Sequence, residues 1–436
     1  SEMNYQEAIK FLFSSLPMYQ REGKAAYKAN LDNTHRLDTH FGHPHREFPA
    51  VHVAGTNGKG SVSHMLASVF QQSGYKTGLY TSPHLLDFRE RIRVNGKPIP
   101  EEEVTGFIND HNQVIREVSP SFFEMTVAMA FDYFAREGVE MAIIETGMGG
   151  RLDSTNIISP ILTVITNISL DHTEFLGREI TSIAHEKGGI IKQGIPLVVG
   201  NTDPEPEQVL SSIAADRQAP VSLTREEFEP IFHTYTRKGE SLVRIRDQKS
   251  GSVESFTCGL AGAYQPENVA TVISAITRLR ESGWNLSDSA VQDGLLSVTR
   301  LTGIMGRWQT VGSNPRSICD TAHNQAGITA VMQQVMQTPW KTLHMVWGMV
   351  GDKDLRSILP MLPREAQYYF TRSKVPRSLD AHTLREAAAD YGLKGEAHPT
   401  VEAAYRAAEK QAGEHDMIFT GGSTFVVADL LEALGF

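Results

Sequence analysis

Two cysteines in 436 residues are too few for a disulfide framework, and Cys258 and Cys319 lie far apart with no metal-ligand spacing. Buried, reduced thiols are the expectation. No apolar run reaches the length a membrane-crossing helix needs, so no membrane partner is expected. The opening residues, SEMNYQEAIKFLF, lack a basic stretch followed by an apolar one. No signal peptide is expected, and the cytoplasm is the default location. Basic charge is also scarce: 41 Lys and Arg against 51 Asp and Glu leave a formal net charge of −10. Without a basic tail or stripe, a nucleic-acid partner is not expected. An anionic small molecule remains open, because a local cluster decides that and the total does not. Low-complexity segments and sequence-level repeats are absent too. What remains is an ordinary globular composition, 40% hydrophobic and 21% charged, long enough for roughly two or three domains.

The pattern along the chain alternates. Residues 1–48 read as helices and loops, with Ala8, Ile9, Leu12 and Phe13 at helical spacing. AVHVA, KTGLYTS, EMAIIET, ILTVITNIS and PLVVG then read as strands. SVSHMLASVFQQSG, closed by Gly74, and SFFEMTVAMAFDYFARE read as helices between them, the latter opened by Ser121 and Glu124 at capping-box spacing. Such alternation predicts a parallel sheet covered on both faces. Between Val221 and Cys258, LVRIRD and SVESFTCG flank the polar turn QKSG and predict antiparallel strands. QPENVATVISAITRL is again helical. The pattern restarts after Thr299–Gly303, with RSICD, LHMVWGMV, AQYYFTRS and DMIFTGG as strands. The expected fold class is α/β with two doubly wound domains. A P-loop ATPase-like domain is expected over residues 1–299 and a smaller Rossmann-like one over 300–436.

In open α/β sheets, ligands gather at the carboxyl ends of the strands. The first strand here runs into HVAGTNGKGS. The commonest phosphate loop has Gly, four residues, then Gly-Lys-Ser/Thr. In this chain Gly55 precedes Gly58-Lys59 by only two intervening residues, and Gly60 separates the lysine from Ser61. A strand before and a helix after still make a phosphate site. Backbone N–H groups and the helix N-terminus favour phosphate oxygens, and Lys59 adds a point charge. The next strand ends in Thr81-Ser82-Pro83-His84, another in Glu145 before TGMGGRLD, and another leads to Asp171 and His172. A glycine loop, a hydroxyl, a carboxylate and an imidazole at four strand ends are the parts of a metal–nucleotide site. Taken singly, each has a plainer reading. Glu145 could be a hydrogen-bonded strand-end acid, His172 a structural histidine and Lys187 a surface lysine. The G-x-G-G of IIETGMGGRL, with its acid before the glycines, does not match a dinucleotide fingerprint.

VAGTNGKGS, TSPHLLDFRERIRVNG, FFEMTVAMAFDYF, IIETGMGGRLDSTN, ITNISLDHTEFLG, IAHEKGGIIK and DTAHN occur in this order. On these motifs the chain resembles the folylpolyglutamate synthase/dihydrofolate synthase branch of the Mur ligase superfamily, from near the N-terminus to the C-terminus. The resemblance implies an ATP-dependent amide ligase. A folate or pteroate carboxylate would take the γ-phosphate of ATP, and the amino group of L-glutamate would attack the acyl phosphate. It implies ATP and one or two Mg2+ ions, with a monovalent cation such as K+ as a further option. It also implies small-molecule partners only, and a monomer. By motif, Ser82, Glu145 and His172 match metal ligands, which places the metal's hydroxyl ligand outside the glycine loop. Lys187 matches a lysine that carries a carbamate. That modification needs a neutral amine and yields an anion able to hold a second magnesium. Asn57, Gly58, Lys59, Gly60 and Ser61 form the ATP loop, and Asn268 of GAYQPEN matches an asparagine near the adenine. Arg307 of GRW matches an arginine that reaches the phosphates. Asp320 and His323 of DTAHN match residues that handle ATP and glutamate. Lys59, His172, Lys187, Asp320 and His323 are therefore the expected catalytic set. Phe122, Phe123, Glu124, Arg151, Leu152 and Asp153 match segments lining a pterin site, where a carboxylate bonds the amino edge and a ring stacks.

The chain departs from the family pattern in three places. Met148 stands where leucine is more usual, Gly188 where alanine is, and Thr321 where glycine is. Only Thr321 adds a side chain to a loop expected to approach ATP. Two rival functions fit the sequence less well. A cell-wall Mur ligase usually carries a whole domain before its ATP loop, and Gly55 comes too early for one. A P-loop regulator without ligase chemistry would not need the second α/β unit with Arg307 and DTAHN. Whether the acceptor is dihydropteroate, a reduced folate or both is left open by the sequence, as are tail length and one-carbon form.

Overall fold

The computed structural model describes residues 2–15, 30–170 and 179–436. The chain divides into two compact units. The first holds Ser1–Gly259 and Gln265–Ile304, and the second Leu260–Tyr264 and Met305–Phe436.

The first unit is built on an eight-stranded sheet among the described residues. Its strands are β1 (Ala50–Ala54), β2 (Thr77–Tyr80), β3 (Ile92–Val94), β4 (Lys97–Pro98), β5 (Met141–Glu145), β6 (Leu162–Ile165), β7 (Leu197–Val199) and β8 (Val221–Leu223). Their order across the sheet is β4-β3-β2-β5-β1-β6-β7-β8. From β2 to β8 all pairings are parallel. β1, β2, β5, β6 and β7 are buried at every position, as a sheet covered on both faces requires. One covering layer joins the helices Tyr5–Ser15 and Phe122–Glu137 through Ala8, Leu12, Phe122 and Phe131. A second apolar cluster gathers Ile183, Ala184, Ile190 and Leu210 with Ile165 and Val199 of the sheet. Ser121 and Glu124 do form the expected capping box.

Two features differ from the sequence reading. RVNGKP folds as a hairpin, β3 antiparallel to β2 and to β4. Its turn, Asn95-Gly96, has φ of 50° and 78°, the left-handed pair a tight hairpin needs. Val221–Leu223 joins the parallel sheet as its edge strand, so the antiparallel stretch begins later. That stretch is a separate sheet of β9 (Phe228–Tyr235), β10 (Ser241–Asp247) and β11 (Val253–Cys258), in the order β11-β10-β9.

The second unit carries a six-stranded sheet among its described residues. It comprises β12 (Gln309–Ser313), β13 (Arg316–Cys319), β14 (Leu343–Trp347), β15 (Ala366–Phe370), β16 (Gly395–Ala397) and β17 (Met417–Gly421), ordered β12-β13-β17-β14-β15-β16. β12 pairs antiparallel and the rest parallel. Both cysteines are buried. No helix among the described residues is long and apolar enough to cross a membrane.

One buried histidine ties the central strand to a site loop. His52, on β1, lies 2.8 Å from Thr155 Oγ1, whose own proton goes to Asp153 Oδ2. Nε2–H of His52 must therefore donate to Thr155, and the ring is neutral. Burial pushes the His52 pKa down from 6.5 to about 3, and burial holds His84 well below its ordinary value as well. Between those limits the unfolded chain binds a proton that the folded chain refuses. Folding stability is thus intact above about pH 6.5 and falls on acidification, by up to about 1.4 kcal/mol per pH unit for each such ring. We expect His52→Gln, which retains a donor, to lose less stability than the parent between pH 7 and pH 5. Urea unfolding midpoints at the two pH values read this directly; identical losses would dismiss His52 as a source of acid sensitivity.

Candidate functional site

β1 sits at the point where the chain's crossovers change direction, between β5 and β6. Such a switch point opens a crevice at the strands' carboxyl ends. The loop Gly55–Gly58 lies there and is held to the segment after β6. Thr56 N donates to Asn167 O (3.0 Å) and Asn57 N to Asn167 Oδ1 (2.7 Å). Thr56 Oγ1 donates to Ser169 O (3.1 Å), Asn57 Nδ2 donates to Ser169 Oγ (3.2 Å), and Thr166 Oγ1 donates to Asn57 O. Gly58 then opens the helix Lys59–Gln72 with φ of 83°. A Cβ on Gly58 would lie 2.3 Å from Asn268 Oδ1, and one on Gly55 1.9 Å from Thr166 Oγ1. Glycine is required at both positions. Asn268 is thereby placed directly against the loop. Gly60 and Ser61 are buried in the helix's first turn, whereas Asn57 and Lys59 keep partial exposure.

Two lysines converge on this loop. Lys59 Nζ donates to Gly147 O (3.3 Å), in the turn after β5. Lys187 Nζ donates to Gly55 O (3.3 Å), and Lys187 is 1% exposed despite its charge-bearing end. It is no surface lysine. Glu145, 2% exposed, ends β5 beside Val53 of β1. Ser82 Oγ is enclosed without a hydrogen-bond partner among the described residues and lies 3.6 Å from where a Gly147 Cβ would be. A buried orphan hydroxyl at the turn that follows a strand-end carboxylate offers oxygen donors of the kind magnesium takes. The residues present fit the metal. His172 lies outside the described residues.

The segments matched to a pterin site are mostly committed to the fold. Asp153 Oδ1 accepts from the N–H groups of Gly147 (2.8 Å) and Met148 (2.9 Å), and Oδ2 from Thr155 N (3.0 Å) and its hydroxyl. It shapes the glycine turn. Glu124 Oε1 accepts from Ser121 N (2.7 Å) and Asn33 Nδ2 (3.2 Å). Phe122 is fully buried and stacked on Phe13 at 5.2 Å. Phe123, near Gly147, is only half-buried and is the ring of the pair that keeps some exposure. Arg151 pairs with Glu186 (3.1 Å), and Leu152 is half-buried beside it in the chain. Arg91 went unrecognised in the sequence. Its guanidinium is 1% exposed, donates from Nε to His84 Nδ1 (2.7 Å) and lies 4.9 Å from the centre of the Phe122 ring. Burial lowers its pKa to about 10, with Tyr80, Glu90 and Glu145 opposing. The signal was present in RERIR, basic residues soon after a strand end.

The second unit gathers Arg307, Asp320 and His323 around the end of β13. Asp320 is 1% exposed and accepts from Trp308 N and Ala322 N, both 2.8 Å, and from the Tyr264 hydroxyl. Burial still pushes its pKa above the usual carboxylate range, against the Arg307 charge and those hydrogen bonds. Arg307 Nη1 donates to Thr321 Oγ1 (2.8 Å). His323 Nδ1 donates to Thr321 O at 3.2 Å. Tyr264 is 56 residues from Asp320 and left no trace in the sequence pattern.

Two family models match the chain: the Mur ligase middle domain over residues 53–276 and the Mur ligase, glutamate ligase domain over residues 306–424. The dihydrofolate synthase/folylpolyglutamate synthase of Bacillus subtilis is 32% identical over 440 residues, covering 99% of both chains. Among solved structures, Escherichia coli FolC in complex with DHPP and ADP superposes with a TM-score of 0.86 at 29% identity, covering 99% of this chain and 98% of that one. The Yersinia pestis bifunctional folylpolyglutamate synthase/dihydrofolate synthase complexed with AMPPNP and Mn ion gives 0.82 at 27% identity, covering 100% and 98%. Phosphate loop, buried lysine, strand-end carboxylate and full-length similarity agree, and the chain belongs to the Mur ligase family, in its folylpolyglutamate synthase/dihydrofolate synthase branch.

Proposed function

We propose that this ATP-dependent ligase adds L-glutamate to the carboxylate of a folate or dihydropteroate through an acyl phosphate. The observation that carries the reading is the meeting of Lys59, Lys187 and the orphan Ser82 hydroxyl around the Gly55–Gly58 and Gly147 turns. In the first half-reaction a carboxylate oxygen attacks the γ-phosphorus and the bond to ADP breaks. The loop's N–H groups and Lys59 stabilise charge on the transferring group. In the second, the glutamate nitrogen attacks the acyl carbon, phosphate leaves, and the amine loses its proton. Asn268 is assigned to the adenine end. Arg307 and Asp320 are assigned to nucleotide handling, and His323 to nucleotide and glutamate. Ser82 and Glu145, with His172 and a carbamylated Lys187 as further ligands, would hold one or two Mg2+ ions, which when bound offset phosphate charge. The Mn ion and AMPPNP of the Yersinia relative support a divalent metal with the nucleotide. A monovalent cation such as K+ is assigned no residue. Phe123 is the ring assigned to the pterin. A cytoplasmic monomer acting on small molecules completes the proposal, and two buried thiols agree with a reducing compartment.

Products are to be weighed by mass spectrometry after incubation with ATP, Mg2+ and L-glutamate, with dihydropteroate in one tube and tetrahydrofolate in another. One added glutamate in both tubes means a bifunctional synthase, and addition only in the second means tail extension. No addition in either, from folded protein that binds ATP, would defeat the proposal.

Thr321 gives a sharper test of the second unit. Thr321→Val keeps the side chain's shape and removes the oxygen that Arg307 donates to. A hydrogen bond from a charged donor contributes about 1.5–3 kcal/mol, so kcat/KM for ATP is expected to fall about tenfold or more. Thr321→Ser should keep most of it. Equal kinetics in the valine variant and the parent would remove Thr321 from the site.

A further inference from the structure

Among the described residues, one group of histidine and carboxylate side chains converges as metal ligands do, and it is not at the nucleotide site. Asp38, His43 and His45 each offer one ligand atom, and the three atoms lie within 4.8 Å of one another. His43 Nδ1 is 2.6 Å and His45 Nε2 3.2 Å from the same carboxylate oxygen, Asp38 Oδ2. The carboxylate is only 8% exposed, and its other oxygen, Oδ1, is enclosed with no hydrogen-bond partner among the described residues. A buried carboxylate with an unused oxygen, facing two imidazoles, is an incompletely satisfied arrangement.

We propose that Asp38, His43 and His45 bind a late first-row divalent cation, of which Zn2+ is the type. Two imidazole nitrogens and one carboxylate oxygen are a donor set that suits zinc and its neighbours and is poorly matched to magnesium. A tetrahedral ion with bonds of about 2 Å sets its ligand atoms about 3.3 Å apart, so the His45–Asp38 spacing already suits it and the His43–Asp38 spacing has to open slightly. On binding, each ring nitrogen facing Asp38 presents its lone pair to the metal: a neutral ring shifts its proton to its other nitrogen, and a protonated ring releases one proton to solvent. The His43 side chain is 34% exposed, which gives an entry path and a water for the fourth position.

The place in the fold says what the ion would do. Asp38 is on the helix Asp32–His40; His43 precedes, and His45 sits within, the 3-10 turn Pro44–Glu47; and Ala50 begins β1. The ion would staple that helix to the entry of β1, whose exit is the phosphate loop about 17 Å away. It is a structural site, separate from the catalytic metal.

The full-length chain, stripped with a chelator, is titrated with Zn2+ in excess Mg2+ by calorimetry, and the bound metal is counted. One equivalent is expected to bind with a Kd of micromolar or tighter, and Co2+ should give the visible absorption of a tetrahedral ion. Affinity should fall at least about 30-fold in His45→Gln and in His43→Ala, the latter removing a partly exposed ring so that folding is preserved. Zinc should raise the thermal midpoint of the parent and leave that of His43→Ala in place. No saturable zinc binding by the parent, or equal binding by the parent and both variants, would overturn the site and leave a hydrogen-bonded His–Asp–His cap.

Discussion

Lys59→Ala is expected to lower kcat for ligation by about 10²- to 10³-fold, the usual loss when one preorganised charge on a transferring group is removed. Lys59 opens the helix after the glycine loop, and its Nζ is held by Gly147 O rather than by a carboxylate. Its positive charge is therefore not neutralised by that contact and is available to the outer phosphates. The helix should survive, because alanine is the best helix former and Gly60–Phe70 supply the buried face. Lys59→Arg should recover little. A planar fork does not reproduce a compact ammonium at the end of a short helical turn. Steady-state ADP release, with binding of a fluorescent ATP analogue as the control, separates loss of chemistry from loss of nucleotide. An alanine variant with more than about half the parent's turnover would remove Lys59 from the reaction.

The second large effect belongs to Lys187. Lys187→Ala is expected to cost turnover on the order of 10²-fold if the residue works as a carbamate holding cationic charge at the phosphates. The side chain is 1% exposed and lies against the carbonyl of Gly55, so its removal also leaves a buried carbonyl short of a donor. Stability and activity must therefore be read apart. A short carboxylic acid added to the alanine variant could occupy the vacated space and restore negative charge, and we expect it to recover part of the activity without changing the unfolding midpoint. Intact mass measured with and without added CO2 reports the modification itself. An unmodified parent that is fully active, or an alanine variant that no small carboxylate rescues, would reduce Lys187 to a structural tie on the loop.

Much of this was legible because phosphate sites are built from short local segments. Gly55, Gly58 and Lys59 are neighbours in sequence, so their spacing already stated a strand, a turn and a helix start. Ser82 and Glu145 stand out for a similar reason, since Glu145 ends one buried strand, Ser82 follows another by two residues, and strand ends point to one crevice. Lys187 was not, read alone. Only the fold shows that its ammonium is enclosed against Gly55, and the family motif was needed to single it out. The pterin segments show the reverse. Asp153 reads as a ligand-facing acid, yet four donors from its own loop occupy it, a role that depends on backbone geometry no spacing rule encodes. Tyr264 and Asp320 meet only because Leu260–Tyr264 folds with the second unit, a long-range placement without a local signature. The β3–β4 hairpin was missed although Asn95-Gly96 is the strongest short hairpin signal; strands of three and two residues are too brief to show alternation.

The close approach of Gly58 to Asn268 also constrains the lineage. Two conditions hold position 58 at once: its left-handed backbone, and the amide that a side chain would strike. Changing the asparagine relieves the collision and leaves the backbone condition standing, so no single compensating change frees the glycine. Position 58 therefore stays glycine whatever stands 210 residues away at position 268, and the constraint runs one way.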